Sequence, residues 1–327
     1  MRRILFAVII AGFAVTGPAW GWEEGWLDEN LPLEEHGRSY VSEDGLVTLR
    51  GSLGVIGLQA KEYVFTSSGS DNVMSYLLWQ GVAPLASAEF QVRLPQAFTL
   101  KAELRGAMGG DHGMEDYDWL GPYAPSYDFE DWSHYSNSPN TNLDWYLDAA
   151  LSLGQDIYDD ETSRVNLNAG VKYTDVRWTA RGGQAVYSVG GWRDTSVTFA
   201  DEPVITYRQQ LPAVFAGIDI EIEDGKFVWG ASAKGGYSLM GLATDNHWLR
   251  DLNFVDALQP APMYTASLSG AYRFSDEVSA YVEAGIEQML LARGDTTISG
   301  DSSGFVPDAA GAEFANVSLS AGLKARF

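Results

Sequence analysis

Residues 312–327, AEFANVSLSAGLKARF, alternate between apolar side chains and polar or small ones. Counting back by twos from Phe327, one set of positions is apolar: Ala325, Leu323, Ala321, Leu319, Val317 and Ala315. The interleaved positions are charged, polar or glycine: Arg326, Lys324, Gly322, Ser320, Ser318 and Asn316. A period of two predicts a β-strand, and this one exceeds the length of about five or six residues of an ordinary strand. It is typical of a strand that crosses an outer membrane with its apolar face toward lipid.

The same alternation recurs along the chain, in about ten segments near residues 46–65, 74–92, 97–110, 142–154, 165–173, 214–221, 227–234, 263–274, 280–287 and 315–327. Short links (RLPQA, GQDIYDDETS, EDGK and FSDE) alternate with long ones at 111–141, 179–204, 242–262 and 294–312. This pattern predicts an all-β fold, a ten-stranded antiparallel transmembrane β-barrel with short periplasmic turns and long extracellular loops. Such a barrel is too narrow for an open channel, because about 8 strands are filled by side chains and about 16 leave a pore. A soluble all-β sandwich is the alternative.

The N-terminal residues differ in character from the rest. Basic residues, an apolar run and a small-residue site follow one another, so we interpret residues 1–21 as a secretory signal peptide. Residues 22–44 are acidic and lack a strand pattern, which predicts a periplasmic N-terminal segment, and residues 45–327 form the predicted barrel. The net charge of −23 argues against nucleic acid as a partner and favours cationic partners. With no cysteine, neither disulfides nor thiolate chemistry is available.

Two acidic motifs follow outward-running strands and are candidates for a catalytic site. Asp116 and Asp118 come after the third strand, and Asp245 and His247 after the seventh. In an extended chain, residues two apart point the same way, so Asp245 can orient the His247 imidazole, a plausible general base. The two aspartates of the first motif repel, so at least one holds a proton or binds a cation. Two alternatives stay open: solvated loop acids, and a calcium site, although the first motif lacks the glycine and later glutamate of an EF-hand loop.

The chain resembles the omptins, the outer-membrane barrel proteases of Gram-negative bacteria. The resemblance runs from about Leu46 to Phe327 and is carried by GSLGVIGLQAKEYVF, MEDYDW, SPNTNLDW, YTDVRWTARGGQAVYS, GWRD, ATDNHW and YVEAG. It implies ten antiparallel strands and an aspartic-class endopeptidase site at the extracellular rim. In the family, an Asp–His dyad and an Asp couple activate a water, and these correspond to Asp245 with His247 and to Asp116 with Asp118. No metal and no covalent acyl-enzyme is implied.

The resemblance also implies acidic groups that bind a basic substrate side chain. One corresponds to Glu62, which is kept, whereas a second corresponds to Ala243. A third, on the first long loop, falls near His134, with Glu130 and Asp131 close enough in sequence to compensate. Because a guanidinium favours pairing with a carboxylate, we expect cleavage near basic residues of cationic peptides or proteins, with relaxed specificity.

Omptins require lipopolysaccharide, so the resemblance implies it as an activator, with no other cofactor. Tyr173, Asp175, Arg177 and Arg208 are the candidate contacts; the first three share the parity of the outward face of their strand. The alternative is an ordinary aromatic girdle with a snorkelling arginine. We expect the protein in the outer membrane of a Gram-negative bacterium, with its active site facing outside. The rival functions are an omptin-like barrel acting mainly as an adhesin or structural protein, and a narrow passive barrel.

Overall fold

The computed structural model of the protein describes residues 47–67 and 69–327. The predicted signal peptide (1–21) and acidic N-terminal segment (22–44) therefore lie outside the described residues. Of the described residues, no helix is long and apolar enough to cross a membrane.

The described chain forms thirteen β-strands and two short 3-10 turns. All the strand pairings are antiparallel. The turns are Phe129–Asp131 and Trp248–Arg250. The strands are β1 (Val47–Phe65), β2 (Val73–Leu94), β3 (Phe98–Ala107), β4 (Asp111–Asp118), β5 (His134–Asp159), β6 (Ser163–Tyr187), β7 (Thr195–Asp224), β8 (Phe227–Ser238), β9 (Gly241–His247), β10 (Leu252–Leu258), β11 (Pro262–Arg273), β12 (Val278–Gly300) and β13 (Gly304–Arg326).

These segments close into a ring of ten strands. Three of the ten are interrupted: β3 continues as β4 after residues 108–110, β8 as β9 after 239–240, and β10 as β11 after 259–261. In each case the two halves pair with the same neighbouring strands, as β3 and β4 do with β2 and β5. Pairing of β1 with β13 closes the ring. The prediction of a ten-stranded antiparallel barrel is confirmed.

The strands extend beyond the boundaries predicted from the sequence. Residues 111–141 were expected to form a loop, but Asp111–Asp118 is strand β4 and β5 begins at His134. The segments 179–204, 242–262 and 294–312 likewise lie largely in β6, β7, β9, β10, β12 and β13. Above a membrane, both faces of a strand can meet polar surroundings, so backbone pairing continues after the apolar alternation has ended. Strand β7 contains 30 residues, whereas a tilted strand needs about 9–11 to cross the bilayer.

The two ends of the barrel differ. Short turns join β2 to β3, β5 to β6, β7 to β8 and β11 to β12, at the end where Val47 meets Phe327. Near that end the outer surface carries exposed aliphatic side chains, among them Leu53, Val55, Leu104, Leu151, Val171, Leu268, Val282, Leu319 and Leu323. The interior at the same height is filled by ion pairs, including Arg50 with Glu283 at 2.9 Å and Lys234 with Glu103 at 2.9 Å. Apolar outside and paired charges inside is the arrangement of a narrow outer-membrane barrel.

An apolar layer separates these charges from the opposite end of the barrel. The inward side chains of β1 are Ile56, Leu58 and Ala60, and the next inward residue is Glu62. Three aromatic rings complete the layer: Trp79 stacks on Tyr207, with ring centroids 5.6 Å apart, and on Trp178 at 6.3 Å. Side chains just above this layer therefore lie against an apolar surface, where an ionised group is costly to bury.

Candidate active site

Asp116 and Asp118 lie on strand β4, above the apolar layer. Backbone register places Asp116 between Leu77 of β2 and Ser136 of β5. Leu77 also pairs with Glu62 of β1, so Glu62 and Asp116 stand in one row across three strands. Asp118, two residues further along β4, is on the same side of the strand, as its extended backbone requires. The structure therefore holds the two carboxylates on a paired strand and not on a free loop.

Asp245 and His247 lie on strand β9, which pairs with β7 on one side and β10 on the other. Both side chains are buried. Oδ2 of Asp245 is 2.5 Å from Nε2 of His247, a short hydrogen bond in which the carboxylate fixes the orientation of the ring. The Phe254 ring packs edge-on against the imidazole, with centroids 5.3 Å apart. The dyad is therefore held both by polar contact and by packing.

The two acidic sites lie close enough to interact electrostatically. Burial raises the pKa of Asp116 well above its ordinary range; the charges of Asp118 and, across the cleft, Asp245 raise it further, and Arg250 lowers it. Burial also raises the pKa of Asp118, opposed by a hydrogen bond from Ser75 and by several cationic groups that include His247. The charged groups of the dyad thus act on the titration of the aspartate couple. The aspartate couple keeps a proton at a higher pH than ordinary aspartates do.

Arg250 reaches into the cleft from the 3-10 turn that follows β9. Its Nη2 contacts Nδ1 of His247, the ring nitrogen that Asp245 does not use. Its charge also lowers the pKa of both Asp116 and Asp118, so the guanidinium acts on the couple as well as on the dyad. The sequence analysis did not identify this residue, because an exposed arginine on a connecting turn carries no distinguishing pattern.

The three residues expected to bind substrate lie in different surroundings. Glu62 is buried in the wall of the cleft. His134 pairs across strands with Asp118, and its ring packs against Tyr187 in a tilted orientation, with centroids 5.3 Å apart. Asp131 lies in the 3-10 turn of the loop between β4 and β5, where the Ser126 hydroxyl donates to its Oδ2 at 2.6 Å. The structure brings His134 to the aspartate couple, whereas the hydrogen bonds of Asp131 are made within its own loop.

A further acid, Asp256, enters the cleft wall from β10. It is the cross-strand partner of Ala243, the position at which the sequence analysis noted a lost acid. The Thr296 hydroxyl donates to its Oδ1 at 2.8 Å. Sequence reasoning missed Asp256 because its significance depends on which strand lies beside β9, and residues 242–262 were expected to form a loop.

The four residues expected to contact lipopolysaccharide gather on the outer wall. Arg208 of β7 donates twice to Asp175 of β6, with Nε–Oδ1 at 2.9 Å and Nη2–Oδ2 at 2.6 Å. Trp145 of β5 also donates to Asp175, at 3.0 Å, and Arg177 lies over the Trp145 ring, with Cζ 5.1 Å from the centroid. Tyr173 is part of the same surface and accepts a hydrogen bond from Gln210 at 2.7 Å.

A metal site needs several donor side chains that converge on one point. Among residues 47–67 and 69–327, no group of three or more His, Asp or Glu side chains is arranged to hold a metal ion.

Comparisons with known proteins agree with this architecture. The profile of the Omptin family matches residues 43–327. The chain is 27% identical to the plasminogen activator of Yersinia pestis over 222 residues, covering 67% of this chain and 69% of that protein. It is 24% identical to outer membrane protease OmpP of Escherichia coli strain K12 over 285 residues, covering 84% and 89%. The crystal structure of outer membrane protease OmpT from Escherichia coli superimposes with a TM-score of 0.80 at 22% identity, covering 87% of this chain and 98% of that one.

Proposed function

The chain belongs to the omptin family, and from this premise we propose that it is an outer-membrane endopeptidase of the aspartic class that faces the outside of the cell. The observation that carries the proposal is the meeting of Asp116 and Asp118 with Asp245 and His247 at one end of the barrel. Its relatives named above include a plasminogen activator and an outer membrane protease. Its substrates are cationic peptides or proteins, which the acidic cleft attracts.

The proposed reaction is attack of one water molecule on the peptide carbonyl. His247 accepts the water proton at Nδ1, and Asp245 stabilises the imidazolium through Nε2. Of the aspartate couple, the ionised carboxyl accepts a hydrogen bond from the water, and the protonated one donates a hydrogen bond to the carbonyl oxygen. The tetrahedral intermediate then releases the amine, which takes its proton from the imidazolium. The products are a new carboxyl terminus and a new amino terminus, with no covalent enzyme intermediate.

This mechanism requires Arg250 to leave Nδ1 of His247 before the water proton can be taken. We therefore expect Arg250→Gln to keep or increase kcat at high pH. Since Arg250 lowers the pKa of Asp116 and Asp118, its removal raises both pKa values, and the couple becomes fully protonated at a higher pH. The acidic limb of the kcat/KM profile is then expected to move to higher pH.

The measurement is a pH profile of the wild type, Arg250→Gln and Arg250→Lys on one fluorogenic peptide. The lysine variant keeps the charge and should leave the limb near its wild-type position. A loss of activity in Arg250→Gln that is equal at every pH would contradict this role and indicate that the guanidinium contacts the reacting carbonyl.

The proposed function is tested by incubating the purified barrel, in detergent with lipopolysaccharide, with an unbiased peptide pool and mapping the cut sites by mass spectrometry. We expect internal cleavage beside basic residues. A wild-type protein that leaves the whole pool intact would refute the endopeptidase and favour an adhesin or structural barrel. Cleavage spread evenly over neutral sites would keep the protease but remove the preference for cationic substrates.

We propose that the outer-wall cluster of Tyr173, Asp175, Arg177 and Arg208 binds the phosphorylated headgroup of lipopolysaccharide. Its support is the position of two guanidinium groups on the outer face above the aliphatic belt, each with N–H groups left over after pairing with a carboxylate. Lipopolysaccharide bound there would stabilise the positions of β5, β6 and β7. Strands β5 and β6 carry His134 and Tyr187, which lie beside the aspartate couple.

We expect Arg208→Ala to raise the lipopolysaccharide concentration needed for half-maximal activity about tenfold or more, because a hydrogen bond to a charged group is lost and Asp175 is left without its cationic partner. Activity titrations with lipopolysaccharide measure this. The control is Arg181→Ala, which removes an arginine on the neighbouring strand β6 that pairs with Asp201 at 3.4 Å. Equal titration curves for both variants and the wild type would place lipid binding elsewhere.

A further inference from the structure

Asp256 stands beside Ala243 in the wall of the cleft, one strand away. The register pairs Ala243 with Asp256 on β10 and with Gln209 on β7, and it pairs Asp256 with Thr296 on β12. Gln209, Ala243, Asp256 and Thr296 thus form one row across four strands, and all four side chains are buried. Directly opposite residues have Cβ atoms about 4.5–5.5 Å apart. A carboxylate at 256 can therefore reach the space beside position 243.

Asp256 belongs to a group of buried acids without a basic partner. Glu62 is 3% exposed and Asp256 is 5% exposed, and no lysine or arginine of the described chain forms a salt bridge with either. Burial raises the pKa of Glu62, and the charges of Asp245, Asp256 and Asp116 raise it further. Burial raises the pKa of Asp256 to about 7, against the hydrogen bond from Thr296. Buried acids held in this way are destabilising, which marks them as candidates for binding a cation.

Three unpaired polar atoms around these acids are acceptors. Oε2 of Glu62, Oδ1 of Asp245 and Oε1 of Gln209 are buried and have no hydrogen-bond partner in the described part of the protein. Gln209, which is 0% exposed, uses its amide nitrogen toward the Tyr207 hydroxyl at 3.0 Å. A ligand that satisfies these acceptors is a group that carries only hydrogen-bond donors. Guanidinium and ammonium groups are of this kind, and a guanidinium offers five N–H groups.

We propose that Asp256 is a specificity-determining residue, which together with Glu62 forms the pocket for the basic side chain next to the scissile bond and supplies the charge that Ala243 lacks. This inference rests on the proposed endopeptidase function and sharpens its substrate class. The expectation of relaxed specificity considered position 243 alone. With a carboxylate entering from the neighbouring strand, the pocket keeps two acids, and the preference for arginine or lysine is strong.

The test compares two peptides that differ at one residue, arginine in one and citrulline in the other. Citrulline keeps the shape of arginine but carries no charge. In the wild type, kcat/KM for the arginine peptide should exceed that for the citrulline peptide. Asp256→Asn keeps the size of the side chain and an oxygen for the Thr296 hydroxyl, so it should retain the fold. It should reduce the arginine-to-citrulline ratio about ten- to a hundredfold, the size of a hydrogen bond between charged groups.

The matched control is Asp251→Asn, which removes the same charge from the exposed turn near the cleft. It should leave the ratio unchanged, although general attraction of cationic peptides falls slightly in both variants. An unchanged ratio in Asp256→Asn, with the citrulline peptide still cleaved, overturns this inference and leaves the endopeptidase intact. Failure of the wild type to cleave either peptide, under conditions in which it is folded, overturns the proposed function and this inference together.

Discussion

His247→Ala is expected to lower kcat by about 10²–10⁴-fold with little change in KM, because the water loses its proton acceptor and the peptide-binding surface is kept. Asp245→Asn should also lower kcat, since an amide can neither stabilise the imidazolium nor hold the same tautomer. Oδ2 of Asp245 is 2.5 Å from Nε2 of His247, so the two residues act as one unit. The double variant should therefore lose little more than His247→Ala alone.

Initial rates on a fluorogenic arginine peptide with saturating lipopolysaccharide measure these losses. Asp276→Asn is the control for charge and expression, because Asp276 lies in the exposed turn between β11 and β12 at the opposite end of the barrel. Each variant should keep the far-ultraviolet circular dichroism of the wild type. Wild-type rates in His247→Ala would remove the general base from the mechanism.

The second large effect is expected at the aspartate couple. Asp116→Asn and Asp118→Asn should each lower kcat about 10²–10⁴-fold, because the one carboxyl that remains cannot be both the anionic acceptor for the water and the acidic donor to the carbonyl oxygen. The double variant should lose about as much activity as either single variant, since the two carboxyls share one proton and act as a unit. Losses that multiply would show that the two aspartates have independent roles.

The pH dependence follows from the same couple. Burial, first of all, raises the pKa of Asp116 and of Asp118 above the ordinary aspartate value. As the pH falls through the raised values, both carboxyls become neutral and the water loses its anionic acceptor. The acidic limb of the wild-type kcat/KM profile should therefore lie above about pH 4, where ordinary aspartates titrate. A limb at or below that pH would contradict a desolvated couple.

The strand pattern is visible in the sequence where the chain meets lipid. At that height, each strand has an apolar medium on its outer face and a polar interior on its inner face. Segments such as 315–327 and 280–287 therefore show a clear period of two. The same strands continue above the belt with polar residues on both faces, for example through Asp111–Asp118. The sequence predicts loops for these extensions, because backbone hydrogen bonding between strands does not require alternating side-chain polarity.

What the sequence by itself determined was therefore local: the class of fold, the number of strands, and the pairing within each motif, since residues two apart on an extended chain share a face. The pairing of Asp116 with Asp118 and of Asp245 with His247 could be predicted from this spacing alone. Tertiary structure alone decided the neighbours across strands. Asp256 lies opposite Ala243 because β9 and β10 form a hairpin of fixed register, and Arg250 reaches His247 because the turn between them reverses the chain at the cleft. Strand register and ring closure bring together residues that are far apart in sequence, and local periodicity cannot predict such contacts.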